Sequence, residues 1–231
     1  MMSTYILQID TATEVCSVSL SLNGQVVSVI DATEPNLHAS KLTVFIDQLL
    51  QEANVTYKDL HAVAVSKGPG SYTGLRIGVS TAKGICYALD IPLLAVNTLE
   101  SMYTGYAGLQ ELTQDALYIP MLDARRMEVY MMIFENNNIR KETEAVIIDV
   151  DTFASYVEKP IYLFGSGAVK LKDLFADVSN ITIDSNYKHS SSHLSQRTFE
   201  KFSNQDFEDL IYFEPYYLKE FIATTAKAVK L

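Results

Sequence analysis

The sequence predicts a mixed α/β fold of two related lobes. Three observations carry that prediction. Short apolar runs of strand length alternate with segments whose apolar residues recur at three and four. A three-strand meander precedes the first helical segment. The same order then begins again near residue 100, so a βββαβα pattern occurs twice. The first lobe is expected over 1–100 and the second over 101–214, with a C-terminal helix over 215–231 packing back on the first.

Each element has its own signal. Tyr5 to Asp10 is an apolar strand ending in an acid. Val15 to Leu22 alternates serines with Cys16, Val18, Leu20 and Leu22, and Asn23-Gly24 is a type I′ hairpin signal that returns the chain over Gln25 to Asp31. Leu42, Phe45, Ile46, Leu49, Leu50 and Ala53 then define a helix, for which Ser40 is the expected N-cap. Ala62 to Ser66 is a short buried strand. A Gly-rich segment follows, then a helix carrying Leu75, Val79, Ala82, Ile85, Cys86 and Leu89, and a strand at Pro92 to Val96. In the second unit, strands are expected at Leu117–Asp123, Glu128–Glu135, Ile139–Ile148 and Ile161–Phe164. Asn136-Asn137-Asn138 makes a turn, and Gly165-Ser166-Gly167 a second glycine turn. Helices are expected at 152–158, 168–175, 192–202 and 219–230.

Composition narrows the function. The chain has 231 residues, 48% of them apolar, enough for a substantial core. Its net charge of −10 makes it a poor nucleic-acid binder by itself, because phosphate affinity comes from Lys and Arg. Two cysteines, Cys16 and Cys86, fit a reducing compartment and lie within apolar patterns, as core residues do. No apolar run approaches the ~18 residues of a membrane helix, and no signal segment is visible, so a cytoplasmic protein without membrane contact is expected.

The segment from Gly68 to Gly78, GPGSYTGLRIG, holds the most specific signal. A strand ending in a Gly-rich loop that opens a helix can build an anion site. The spacing fits neither G-x-x-x-x-G-K-[ST] nor G-x-G-x-x-G, which favours a tight turn with close helix packing. Gly74, Gly78 and Ala82, four apart, form a small-residue stripe that would let another helix approach closely.

Taken in order, these pieces resemble the TsaB (YeaZ) family, the small partner subunits of bacterial tRNA threonylcarbamoyladenosine synthesis. The resemblance rests on Ile9-Asp10-Thr11-Ala12, His38-Ala39-Ser40, Gly68 to Gly78 and Ala82-Lys83-Gly84. It continues through Asp123-Ala124-Arg125, Glu128-Val129-Tyr130, Gly165-Ser166-Gly167-Ala168 and Pro215-Tyr216-Tyr217-Leu218, nearly end to end. It implies the actin-like (ASKHA, ribonuclease H-like) two-lobed fold shared with sugar kinases. It also implies a heterodimer with the catalytic TsaD subunit, the TsaE ATPase in the same complex, a homodimer as an alternative state, and tRNA contact only indirectly. The product would be N6-threonylcarbamoyladenosine in tRNAs reading codons that begin with A. By hand alignment, Thr98 and Met102 stand where the catalytic relative places its two metal-binding histidines, and neither suits that metal. A non-catalytic paralogue with no metal of its own is therefore expected.

The candidate residues follow. The expected partner interface comprises His38, Leu42, Phe45, Tyr72, Gly74, Leu75, Arg76, Gly78, Val79 and Ala82. No cofactor is expected; a nucleotide or phosphate, ATP or ADP at the subunit junction, would use Asp10, Gly68, Gly70, Gly165 and Gly167, and an actin-like ATPase is the alternative function. Asp10 could hold Mg²⁺ through water, or simply bond the backbone of its own turn; one acid without the rest of a nucleotide site favours the second. Arg76 could meet a phosphate or an acid across an interface. Asp123, Arg125 and Glu128 read as an ion-pair cluster at the lobe junction. His189 and His193, separated by three serines, read as a solvated loop or frayed helix start.

Overall fold

The computed structural model describes residues 3–34 and 37–218. Two five-stranded sheets share one topology. The first contains β1 (Tyr5–Asp10), β2 (Cys16–Leu22), β3 (Gln25–Ala32), β4 (Leu60–Ser66) and β5 (Leu93–Val96), in the order β3-β2-β1-β4-β5. The second contains β6 (Leu117–Asp123), β7 (Glu128–Glu135), β8 (Asn138–Ile147), β9 (Ile161–Phe164) and β10 (Ile181–Asp184), in the order β10-β9-β6-β7-β8. In each, a three-strand antiparallel meander is followed by two strands parallel to its first member. The turn predicted as type I′ takes the left-handed backbone at Asn23-Gly24, and the expected asparagine turn does so at Asn136-Asn137.

The central strands of the first sheet are buried on both faces, while its edge strand β3 is largely exposed. Leu7, Ile9, Val18 and Val65 pack under α1 (Leu37–Glu52) and α2 (Tyr72–Leu89), which bring Leu42, Ile46, Leu49, Val79 and Cys86. Each such side chain contributes about 1.5–3 kcal/mol on burial. The opposite face, with Ile6, Ala62, Ala64 and Leu94, is covered by Phe199 and Phe202 of α5 (Ser195–Ser203). In the second sheet, α3 (Thr98–Leu109) covers one face with stacked aromatic pairs, Tyr103 on Phe134 at 3.9 Å and Tyr106 on Phe164 at 4.0 Å. The other face packs against α4 (Ser166–Val169) and the turns around Phe153, Leu171 and Phe175.

Several expectations need correction. The helix expected at 152–158 is a single 3₁₀ turn, Ala154–Tyr156, and that at 168–175 is the four-residue α4 followed by turns. Both segments are too short to repay helix nucleation, and Pro160 closes the first. Helix α3 and strand β10 had no predicted counterpart. The α3 signal was present, as Leu99, Met102, Tyr103 and Tyr106 at helical spacing after an Asn97 N-cap. Gly105 and Gly108 diluted it. Helix α1 begins at Leu37, so Ser40 lies inside its first turn and is not its cap. In the expected C-terminal helix, residues 215–218 are not helical; the helix predicted at 219–230, like the rest of that element, lies outside the described residues.

Candidate functional site

Among the described residues the chain crosses between lobes twice, once where β5 leads into α3 and once where β10 leads through residues 185–190 to α5. Parallel pairing aligns the carboxyl ends of β1, β4 and β5 in one sheet and of β6, β9 and β10 in the other. Both rows of strand ends face a cleft of about 1230 Å³. Such strand ends are where open α/β sheets place ligands. The cleft is lined by the first turn (Ala12–Val15), the Gly-rich loop (Pro69–Thr73), Asp123 to Arg125, Gly165-Ser166, and the segments 184–189 and 216–218. Its wall is rich in tyrosine: Tyr72, Tyr130, Tyr187, Tyr216 and Tyr217.

At its base, Asp10 is fully buried and its Oδ2 lies 2.7 Å from His189 Nε2. The Ala12 N–H donates to Oδ1 at 3.0 Å. Burial alone would push this carboxyl up; the charge and hydrogen bond of His189, with the Ala12 N–H, outweigh it and hold Asp10 below the usual carboxylate value. Tyr187 Oη is 3.4 Å from His189 Nδ1 and 3.3 Å from His193 Nδ1, and it donates to Met102 O at 3.3 Å. Burial, then the His189 charge, push His193 down to about 4. The expectation of a solvated His189-x-x-x-His193 loop is thus corrected. His189 has a 5% exposed side chain. A Cβ on Gly105 would lie 2.3 Å from the His193 ring, so α3 leaves room for it only at a glycine. Nothing local in the sequence tied His189 to Asp10, 179 positions away.

The Gly-rich loop is filled from within the chain. A Cβ on Gly70 would stand 2.3 Å from Ala12 O, which accepts the Ser71 N–H at 2.7 Å. Gly68, at φ +110°, has Tyr216 O where its Cβ would be. Gly165, at φ +95°, sits against Met102 and Met121 O, and Gly167 against Leu122. At the residues expected for a nucleotide or phosphate, Gly68, Gly70, Gly165 and Gly167 admit neighbouring atoms of the chain and Asp10 has partners within it, while Gly70 and Gly165 also line the cleft.

The stripe is corrected too. Gly74, Leu75, Gly78, Val79 and Ala82 are buried inside their own lobe, as is Leu42 of α1. A Cβ on Gly74 would lie 2.1 Å from Thr11 O and one on Gly78 2.3 Å from Thr11 Oγ1. Thr11 Oγ1 donates to Gly74 O at 2.7 Å. The smooth face therefore seats α2 on the end of β1 and is closed to a partner. Phe45 is half-buried against the same core. His38 is half-buried beside the cleft, 3.3 Å from Val15 O. Arg76 points outward, its guanidinium 4.3 Å from the Tyr72 ring centroid and its Nε donating to Tyr217 Oη at 3.2 Å. Tyr72 and Tyr217 rings are 5.0 Å apart. Around the expected Asp123–Arg125–Glu128 cluster, Lys170 pairs with Asp123 and donates to Glu128 O, and the Arg125 N–H donates to Asp123 Oδ1 at 2.9 Å. Cys16 and Cys86 are free and buried, and burial pushes both thiols up to about 11.

This architecture, two like sheets hinged around a cleft at their strand ends, is that of the actin-like α/β proteins. A putative N-acetylmannosamine kinase from Listeria monocytogenes shares it with a TM-score of 0.51, 10% identity and coverage of 88% of this chain and all of that one. YeaZ from Pseudomonas aeruginosa superposes with a TM-score of 0.72 at 25% identity, covering 93% of this chain and 100% of that one. The tRNA threonylcarbamoyladenosine biosynthesis protein TsaB of Escherichia coli (strain K12) is 35% identical over 146 residues, which span 62% of each protein, just under two thirds. The family model described as "TsaD: tRNA N6-adenosine threonylcarbamoyltransferase" matches residues 33–229. The chain belongs to that family, in its TsaB (YeaZ) branch.

Proposed function

We propose that this chain is a non-catalytic subunit that pairs with a catalytic TsaD-type subunit and sustains formation of N6-threonylcarbamoyladenosine in tRNA. The observation that carries the reading is Asp10. At the end of β1, an actin-like enzyme would offer an acid to a cation or phosphate. Here the carboxylate is occupied by His189 and the Ala12 N–H. Thr98 and Met102, aligned with the metal-binding histidines of the catalytic relative, are buried and offer a hydroxyl and a thioether.

With the stripe enclosed, the interface is assigned to the outward surfaces of α1 and α2. Arg76, Ser80, Gly84 and Val44 are exposed there, and a Cβ on Gly84 would meet nothing within 4 Å. The net charge of −10 suits a subunit that leaves tRNA to its partners, among them a TsaE-type ATPase, in the cytoplasm. The same outward surface serves a homodimer when the catalytic subunit is absent.

The test is reconstitution. The chain is co-purified with the TsaD-type subunit encoded in the same genome, and tRNA modification is measured with the ATPase subunit present. Omitting either TsaD or this chain should abolish modification; the full set should restore it. Modification by this chain without TsaD, or steady Mg-ATP turnover by this chain alone, would overturn the reading.

A further inference from the structure

The lobe junction contains a buried hydrogen-bonded chain outside the surface assigned to a partner. His189 lies on the return crossing, between β10 and α5. Its imidazole reaches Asp10 at the end of β1 in the first lobe. From its other nitrogen the contacts run to Tyr187 Oη, and from there to Met102 O on α3, the helix that follows the outward crossing. One continuous set of contacts therefore joins the two crossings to each other and to the first sheet. Tyr187 is seated against the second lobe as well, its ring edge-on to Phe164 of β9 at 5.1 Å. The Ser191 N–H donates to Ser17 Oγ of β2 at 2.7 Å, pinning the residues just past His189.

We propose that Asp10, His189, Tyr187 and Met102 form a clasp that sets the angle between the two lobes and holds the cleft at one opening. Hinged two-lobed proteins move by changing backbone angles at the few residues of their crossings. Here both crossings are fastened by buried hydrogen bonds, and breaking the central pair would strand a charge away from water. His189 and the Ala12 N–H between them engage both Asp10 oxygens. A fixed opening would present the surface of the molecule in one geometry.

Two variants test it in the full-length chain. His189→Gln keeps a hydrogen-bonding side chain but cannot carry the charge. Tyr187→Phe keeps the ring against Phe164 and removes only the hydroxyl. Spin labels at Gln25→Cys and Glu142→Cys, exposed positions on opposite lobes, report the interlobe distance, while Cys16 and Cys86 stay buried. The parent should give one narrow distance distribution. Each folded variant should broaden it about two-fold or more. Amide exchange should rise about ten-fold at 97–102 and 185–191 and stay unchanged in the sheet cores. Should His189→Gln fail to fold, Tyr187→Phe alone decides. Parent-like distances, or a rise in exchange spread evenly over both sheets, would overturn the clasp.

Discussion

Gly78 is a single residue on which the packing of the first lobe turns. Its missing Cβ is the space that Thr11 Oγ1 occupies, 2.3 Å from where a methyl would be. Gly78→Ala should cost about 1–3 kcal/mol as overpacking, seen as a lower urea midpoint. Thr11→Ala/Gly78→Ala should recover part of that loss, since the clash is with the threonine hydroxyl; additive single effects would show that the two do not interact. Asp10 gives a pH-dependent counterpart. Its folded pKa lies below the unfolded value of about 3.9, so its stabilisation is present above that pH and fades as pH falls through the folded value. Comparing urea midpoints of the parent and Asp10→Asn across pH should show their difference shrinking in acid. A difference that stays constant below pH ~4 would remove Asp10 as its source.

At the scale of elements, α2 does two jobs with two faces. Inward, Gly74, Gly78 and Ala82 seat it on β1. Outward, Arg76 and Tyr72 hold Tyr217, and the Tyr216 N–H donates to Lys67 O at 2.7 Å, so the segment 214–218 lies as a strap over the Gly-rich loop. Arg76→Ala should loosen that strap, raising amide exchange at Tyr216 without moving the melting temperature by more than a degree or two, since the contacts are exposed. Gly84 tests the outer face. Gly84→Arg fills open space on a helix and should leave folding intact while weakening association with the TsaD-type subunit about ten-fold or more; unchanged association would exclude that face. The small-residue stripe was legible in the sequence as a close-packing surface. Which body packs on it was not, because spacing along a helix defines a face but carries no information on whether the covering atoms belong to the same chain. Helix α3 was missed for a related reason. Its glycines look like breaks in one dimension, but in the fold Gly105 is required by the His193 ring.

For the whole molecule, the repeated βββαβα order sufficed to predict two lobes of one topology, because strand length, hairpin turns and helical periodicity are local properties. The two sheets repeat that topology strand for strand. Family membership was also legible, through motifs spread nearly end to end. The sequence by itself therefore determined most of the strands and the two long first-lobe helices, the two-lobed architecture and the family, but not α3 or β10. Only the tertiary structure decided what the candidate site contains. It brought His189 to Asp10 across 179 residues, closed the Gly-rich loop on the first turn and turned the stripe inward. The physical reason is the same in each case. Whether an acid is free, a glycine open or a helix face exposed depends on which atoms distant in sequence fill the remaining space, and that is fixed only when the chain has folded.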